Sequence, residues 1–339
     1  MRLTSSALDR RALSNDTIIV RINRRTKNPL YVTIVSVHRK NFNIFIADLV
    51  KLWNNANVKI KQFADDLGAY VIYDHNDINL KQSALNDFIV HLVSWGNCNG
   101  MEISVRKCRV LYMGSNNPRK QYSISNEIIE SVSNTARYLG LTLTPDLKWK
   151  HHIRNKALLA LRRWFNYMRV IKSDNKEILT RIYKLYVRPL LEFPSQIFNT
   201  NSKYVINTLE RAQARITRNM LFRIIKDPKH SLTYEQRLKF LQLERLQFRR
   251  LRLDLICYHK ILNDKIIIAD NNKPQRTILA NPRHHSKITP VLGSRTQLRH
   301  QSFFVRMSKI FNKLPNHIAQ LNEPIHFKVA LKSIDLSLL

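Results

Sequence analysis

The sequence predicts an α+β fold, with a mixed part ending near residue 145 and an all-helical part after it. Two observations predict this division. Val58–Phe63 and Ala69–Tyr73 are rich in β-branched and aromatic residues and flank the polar Ala64–Gly68, the pattern of strand, tight turn, strand. After Trp149, apolar residues instead recur at helical spacing, and the intervening positions are crowded with Arg and Lys.

Taken in order, residues 1–40 read as weak strands and turns, with Thr17 to Ile22 and Leu30 to Val37 as the β-rich stretches. Phe42 to Trp53 reads as a helix through Phe42, Phe45, Ile46, Leu49 and Trp53. Asn79 to Trp95 reads as an amphipathic helix capped by Gly96. Short strands are expected around Lys107 to Met113 and Ala136 to Leu143, separated by the turn-rich Gly114 to Lys120. His151 to Ile171, Asn175 to Leu191, Lys203 to Ile225 and Tyr234 to Leu262 read as helices. Asp264 to Pro290 lacks a period and reads as a linker or long loop, and Phe303 to Leu314 as a short helix stopped by Pro315.

The chain has 339 residues, 44% of them hydrophobic, enough for one large or several smaller cores. It carries 57 Lys and Arg against 24 acids, a formal charge of +33. That excess opposes compaction unless a polyanion neutralises it, which makes nucleic acid the first partner to expect. An anionic membrane surface is the competing partner, but the cations run along most of the chain instead of one amphipathic segment. No apolar run approaches spanning length, and Met1–Thr4 does not open a signal peptide, so no membrane partner is expected. Cys98, Cys108 and Cys257 suggest a reducing compartment without a disulfide framework. His151–His152 and His284–His285 lack partner cysteines and read as surface or packing residues.

The turn at Ala64–Gly68 is expected to present two adjacent carboxylates, Asp65 and Asp66, at a hairpin tip. Such neighbours repel unless a cation sits beside them, and magnesium takes hard oxygen ligands and bridging phosphates. Two such ions can hold the attacking and leaving oxygens of an in-line phosphoryl transfer. Read alone, the pair is a polar turn.

Lys61-Gln62-Phe63-Ala64-Asp65-Asp66 resembles the aromatic-x-Asp-Asp hairpin of reverse transcriptases of the non-LTR retrotransposon (LINE) type. Phe42 to Leu49 is similar to the palm helix before that hairpin. Gly100 to Cys108 resembles the family's Gly-Leu-x-x-Asn-x-x-Lys-Thr block, with Ser104 and Cys108 departing from it. Arg137 to Leu143 resembles the strand pair that grips the primer end, and Leu147 to Ile153 the opening of the thumb. Tyr183 to Pro189, Leu209 to Gln213, Tyr234 to Leu238, Arg299 to Phe304 and Phe311 to Pro315 match later segments loosely, but in order.

The resemblance implies a partial polymerase palm over residues 1–145, an antiparallel sheet with helices. A helical thumb-like region follows at 146–263, then a linker and carboxy-terminal helical segment at 264–339. It implies RNA-directed DNA polymerase chemistry, metal-dependent nucleotidyl transfer on an RNA template and a DNA primer with deoxynucleotides. Asp65 and Asp66 would be catalytic and hold Mg2+ in a two-ion site; Lys107 would be catalytic, facing the departing pyrophosphate. Tyr138, Leu139 and Gly140 would form the primer grip. The location it implies is intracellular, nuclear or cytoplasmic.

Two of the family's blocks are not found. Residues 1–40 resemble the stretch after the first catalytic Asp block, and Ile34 runs through Lys40 into Phe42 without a Gln-Gly pair. Two carboxylates without the third should hold magnesium weakly, so the expectation is a truncated copy, inactive alone.

Arg154, Lys156, Arg162, Arg163 and Arg169 open a dense basic stretch, and Arg245, Arg249, Arg250 and Arg252 a second. Both are expected to track a nucleic-acid backbone. Among the interleaved aromatics, Trp164, Phe165 and Tyr186 weigh toward core, with stacking on bases as the other use. The alternative function is a non-catalytic basic RNA- or DNA-binding protein derived from such an element. A third reading, a chain too incomplete to fold stably, follows from palm surface left uncovered.

Overall fold

The computed structural model describes residues 14–21, 47–51, 53–64, 66–73, 76–101, 103–114, 117–199, 202–226, 231–268 and 297–336. Most expectations for residues 1–46, the Asp65 carboxylate and the loop expected after Ile268 lie outside these residues. The chain combines helices with small antiparallel sheets and divides into two compact units, Arg11–His151 and His152–Leu339.

In the first unit, β1 (Ser14–Arg21), β2 (Lys59–Phe63), β3 (Asp66–Tyr73) and β4 (Arg109–Met113) form one sheet in the order β2-β3-β1-β4. All its pairings are antiparallel, with Ile19 opposite both Gly68 and Arg109. Every second residue of β3 (Leu67, Ala69, Val71 and Tyr73) is buried, as the two-residue period of a strand requires. Their cover includes Leu85, Phe88, Ile89 and Leu92 of α2 (Ile78–Cys98), which follows the short α1 (Ala47–Lys51). Each such side chain contributes roughly 1.5–3 kcal/mol by leaving water. The helix expected to reach Trp53 does not include it; Trp53 instead packs edge-on to Phe88 at 5.2 Å.

Gly96 is not the cap of α2 but a buried residue within it. The helix ends two residues later, where Gly100 at φ 63° allows Met101 N to reach Gly96 O (2.8 Å) and Gly100 N to reach Asn97 O (3.3 Å). That double closure needs a left-handed residue, which glycine adopts without a Cβ penalty. Two further hairpins, β5 (Ser123–Ile124) with β6 (Glu127–Ile128) and β7 (Ala136–Tyr138) with β8 (Leu141–Leu143), each turn on two consecutive positive-φ residues.

The second unit opens with α3 (Lys150–Val170). The helix expected over Asn175 to Leu191 is α4 (Lys176–Ile182), a single π turn (Tyr183–Val187) and α5 (Arg188–Glu192). After α6 (Ser195–Phe198), α7 (Lys203–Ile225) has the expected bounds. The long helix expected over Tyr234 to Leu262 is two, α8 (Tyr234–Phe240) and α9 (Leu246–Leu262). Gln242 breaks it at φ 52°, closing a turn in which Leu243 N bonds Leu238 O at 2.9 Å. α10 (Gln297–His300), α11 (Phe303–Phe311), α12 (Asn316–Ala319) and α13 (Pro324–Ala330) follow. Leu255, Tyr258 and Ile261 of α9 share a core with Phe304, Met307, Phe311 and Phe327.

Trp164 is fully buried and donates from Nε1 to Asn219 at 2.9 Å. His152 is also fully buried, its ring 5.4 Å from that of Phe198. Burial, with Lys156 beside it, pulls the His152 imidazole down to about 4. The unfolded chain therefore takes up this proton first, below about 6.5. The stabilisation is complete above that pH and is lost as pH falls from 6.5 through about 4. Unfolding free energies from urea titrations across this window should fall in the wild type by on the order of 2 kcal/mol more than in His152→Leu. Parallel curves for the two proteins would reject this.

Candidate functional site

Phe63 pairs with Asp66, so the hairpin closes within two residues, one of them Ala64 at φ 51°. The turn is thus shorter than the expected Ala64–Gly68. Asp66 is not a tip residue but the first residue of β3, half-buried and in register with both Phe63 and Arg21. Its expected partner, Asp65, lies outside the described residues.

The expected primer-grip residues lie in the β7–β8 hairpin, with Leu139 (φ 47°) and Gly140 (φ 79°) at its turn. Tyr138 leans on Gly68: a Cβ built at 68 would stand 3.0 Å from the tyrosine oxygen and 3.2 Å from its ring carbon. Any side chain at 68 would push that ring back by a few tenths of an ångström. Burial first, and the Asp66 carboxylate second, push the Tyr138 hydroxyl up to about 12, so it stays protonated beside Asp66. Nothing in the spacing of residues 68 and 138 signals this meeting.

Lys107 is exposed in the 3-10 turn Val105–Lys107 that leads into β4. Because Ile19 pairs with Arg109 and Arg21 with Asp66, this turn lies toward the sheet end that carries Asp66. The departures from the family block are tied to each other, the Cys108 thiol donating to Ser104 O at 3.3 Å.

The described donor set at the hairpin is Asp66 with the neutral Tyr138 hydroxyl. A magnesium ion is ordinarily held by one or two carboxylates with water and phosphate oxygens at its other positions, so Asp66 would supply one such ligand. Among the described residues no group of three or more His, Cys, Asp or Glu is arranged to hold a metal.

In the second unit, Arg154, Arg162, Arg163 and Arg169 are exposed on α3 and Lys156 is half-buried. At 3.6 residues per turn they form two stripes, Arg154–Arg162–Arg169 and Lys156–Arg163–Tyr167. The second basic concentration is paired or buried. Arg245 pairs with Glu235, Arg249 with Glu192, and Arg252 with both oxygens of Glu244 at 2.8 and 2.7 Å. Arg250 is fully buried. Arg245, Arg249 and Arg252 thus each face an acid of the same unit, the Arg245–Glu235 pair at the surface.

Three of the later sequence segments meet in one buried network. The Tyr183 hydroxyl donates to Gln213 Oε1, Gln213 Nε2 to the Tyr234 hydroxyl (2.9 Å) and to Glu244 O (3.0 Å), and Tyr234 to Glu210 (2.6 Å). Burial and then the Glu210 carboxylate hold the Tyr234 hydroxyl well above the ordinary range. Of the interleaved aromatics, Trp164 is core, Phe165 is half-buried with Arg215 5.5 Å over its ring, and Tyr186 is 52% exposed, contrary to its core expectation.

Among the described residues no helix is long and apolar enough to cross a membrane. No family model matches the chain. An uncharacterized protein of Caenorhabditis elegans is 25% identical to it over 139 residues, 41% of this chain and 69% of that protein.

Proposed function

We propose that this chain is the palm and thumb portion of a reverse transcriptase of the non-LTR retrotransposon type, holding RNA and DNA without copying them on its own. One observation carries the reading. Tyr138, from the segment that resembles the primer grip, leans on Gly68, two residues beyond the Asp66 of the Asp-Asp motif. Two segments far apart in sequence, each resembling the family on its own, thus lie together at one sheet. The exposed arginines of α3 support the nucleic-acid half of the proposal. The run from Ile34 to Phe42 carries no Gln-Gly pair, which in the family contacts template and incoming nucleotide, and this favours binding over synthesis. In the family, a third carboxylate from a separate block completes the magnesium site.

The test presents the purified chain with an RNA template annealed to a DNA primer, magnesium and deoxynucleotides. The expected result is a retained duplex with no primer extension. Extension that disappears in Asp66→Asn would overturn the non-copying half of the proposal. Failure to retain the duplex at low salt would overturn the rest.

A further inference from the structure

A second feature of the helical unit, resting on the nucleic-acid reading just proposed, concerns the form of nucleic acid it holds. The π turn at Tyr183–Val187 has its inner residues, Tyr183 and Val187, fully buried. A π turn carries an extra residue, and such turns are frequent at functional sites. Here Leu185 and Tyr186 face outward, 57% and 52% exposed. The Tyr186 ring stands beside that of Tyr167 on α3, centroids 5.5 Å apart and planes tilted by 53°. Arg163, one helical turn before Tyr167, donates from Nη1 to the Tyr186 carbonyl at 3.3 Å and so ties the π turn to α3.

Single exposed apolar residues are ordinary, but here two rings are adjacent and held by an arginine. Lys156 and Arg163 lie on the same stripe of α3 as Tyr167, and Arg162 is exposed next to it in sequence. The acids nearest in sequence are Glu192, paired with Arg249 and Arg188, Asp174, paired with Lys226 at 3.0 Å, and Glu177. A ring pair bordered by cations suits a ligand that offers flat apolar faces and negative charge together. Single-stranded nucleic acid does so. A duplex keeps its base faces inside its stack and offers only phosphates to such a surface.

We propose that Tyr186 and Tyr167 form a stacking platform for the bases of single-stranded RNA or DNA, with Lys156 and Arg163 neutralising its phosphates. The platform selects unpaired strand over duplex.

The test is fluorescence anisotropy of the full chain with labelled oligothymidylate and with a duplex of the same length, at one salt concentration. Tyr186→Ala and Tyr186→Leu are expected to weaken oligothymidylate binding by about tenfold and duplex binding by less than about twofold, whereas Tyr186→Phe binds as the wild type does. The leucine variant keeps an apolar side chain without a π face, so a loss shared by both variants belongs to stacking and not to folding. Equal loss on both probes, or no loss in Tyr186→Ala, Tyr186→Leu and Tyr167→Ala, overturns the platform while leaving nucleic-acid binding in place. The second of those outcomes would point to a protein as the ligand of this surface. Absence of binding by the wild type to either probe overturns the functional proposal, and this one with it.

Discussion

Asp254→Ala is expected to destabilise the unit His152–Leu339 by about 3–5 kcal/mol, a large part of the stability of an ordinary domain. Asp254 of α9 is fully buried and accepts three hydrogen bonds, from Ser195 Oγ (2.8 Å), Asn199 Nδ2 (2.8 Å) and Arg306 Nη1 (2.9 Å). One carboxylate therefore joins α9 to α6, to Asn199 just beyond it and to α11. Arg306 is 5% exposed and Arg250 not at all. Arg250 donates from Nε to Asn199 Oδ1 at 3.3 Å, and its Nη1 and Nη2 have no hydrogen-bond partner among the described residues. Burial pulls the Arg250 guanidinium below its ordinary range, with Glu210 and Asp254 acting against that. Removing the carboxylate leaves the buried Arg306 guanidinium without the acid it bonds, and takes from Arg250 one of the carboxylates that oppose its burial, Glu210 remaining, which costs far more than the pair contributed. Asp254→Asn, which keeps the shape and some of the hydrogen bonds, should lose less. Urea unfolding followed by circular dichroism checks both. An unfolding free energy for Asp254→Ala within about 0.5 kcal/mol of the wild type would show that the network is not what holds these helices together.

This network was not legible in the sequence, for a physical reason. Asp254 sits in a basic, helical stretch where an acid reads as surface charge, and its partners lie 59, 55 and 52 residues away. What the sequence does carry is periodicity. α7 was expected over Lys203–Ile225 and has those bounds, because its apolar stripe is long and continuous. Breaks made by residues other than Gly or Pro leave no such mark. Gln242 takes a left-handed φ and splits the helix expected over Tyr234 to Leu262, and the π turn at Tyr183–Val187 is equally silent. Glycine misleads in the opposite direction. Gly96 reads as a stop but lies inside its helix, while Gly100 ends it. The β5 and β6 strands, two residues each, are too short to show any alternation.

At the candidate site the sequence indicated a hairpin and an acid pair, and the register refines both. Phe63 opposite Asp66 leaves a two-residue loop, which moves Asp66 from the tip into the strand. The approach of Tyr138 to Gly68 depends on how two hairpins pack, which no local pattern encodes.

The proposed nucleic-acid contact predicts a steep salt dependence, and the two arginine concentrations should differ in it. Between residues 154 and 188, Arg154, Arg162, Arg163, Arg169, Lys172 and Arg181 are exposed. If each of these cations releases a counterion on a duplex, the slope of log affinity against log salt is about −5. Raising salt from ~50 to ~200 mM then weakens binding about a thousandfold. Arg162→Gln and Arg169→Gln should each make the slope shallower by about 1. Arg252→Gln should leave the slope unchanged, because Arg252 is 18% exposed and both its short bonds go to Glu244. Its effect should appear in unfolding instead, by at most about 1 kcal/mol, since Glu244 is 44% exposed and screened by solvent. Fluorescence anisotropy over a salt series measures all four proteins. A wild-type slope shallower than about −2, or an Arg252→Gln slope that changes as much as Arg162→Gln, would show that exposure on α3 does not decide which cations meet phosphate.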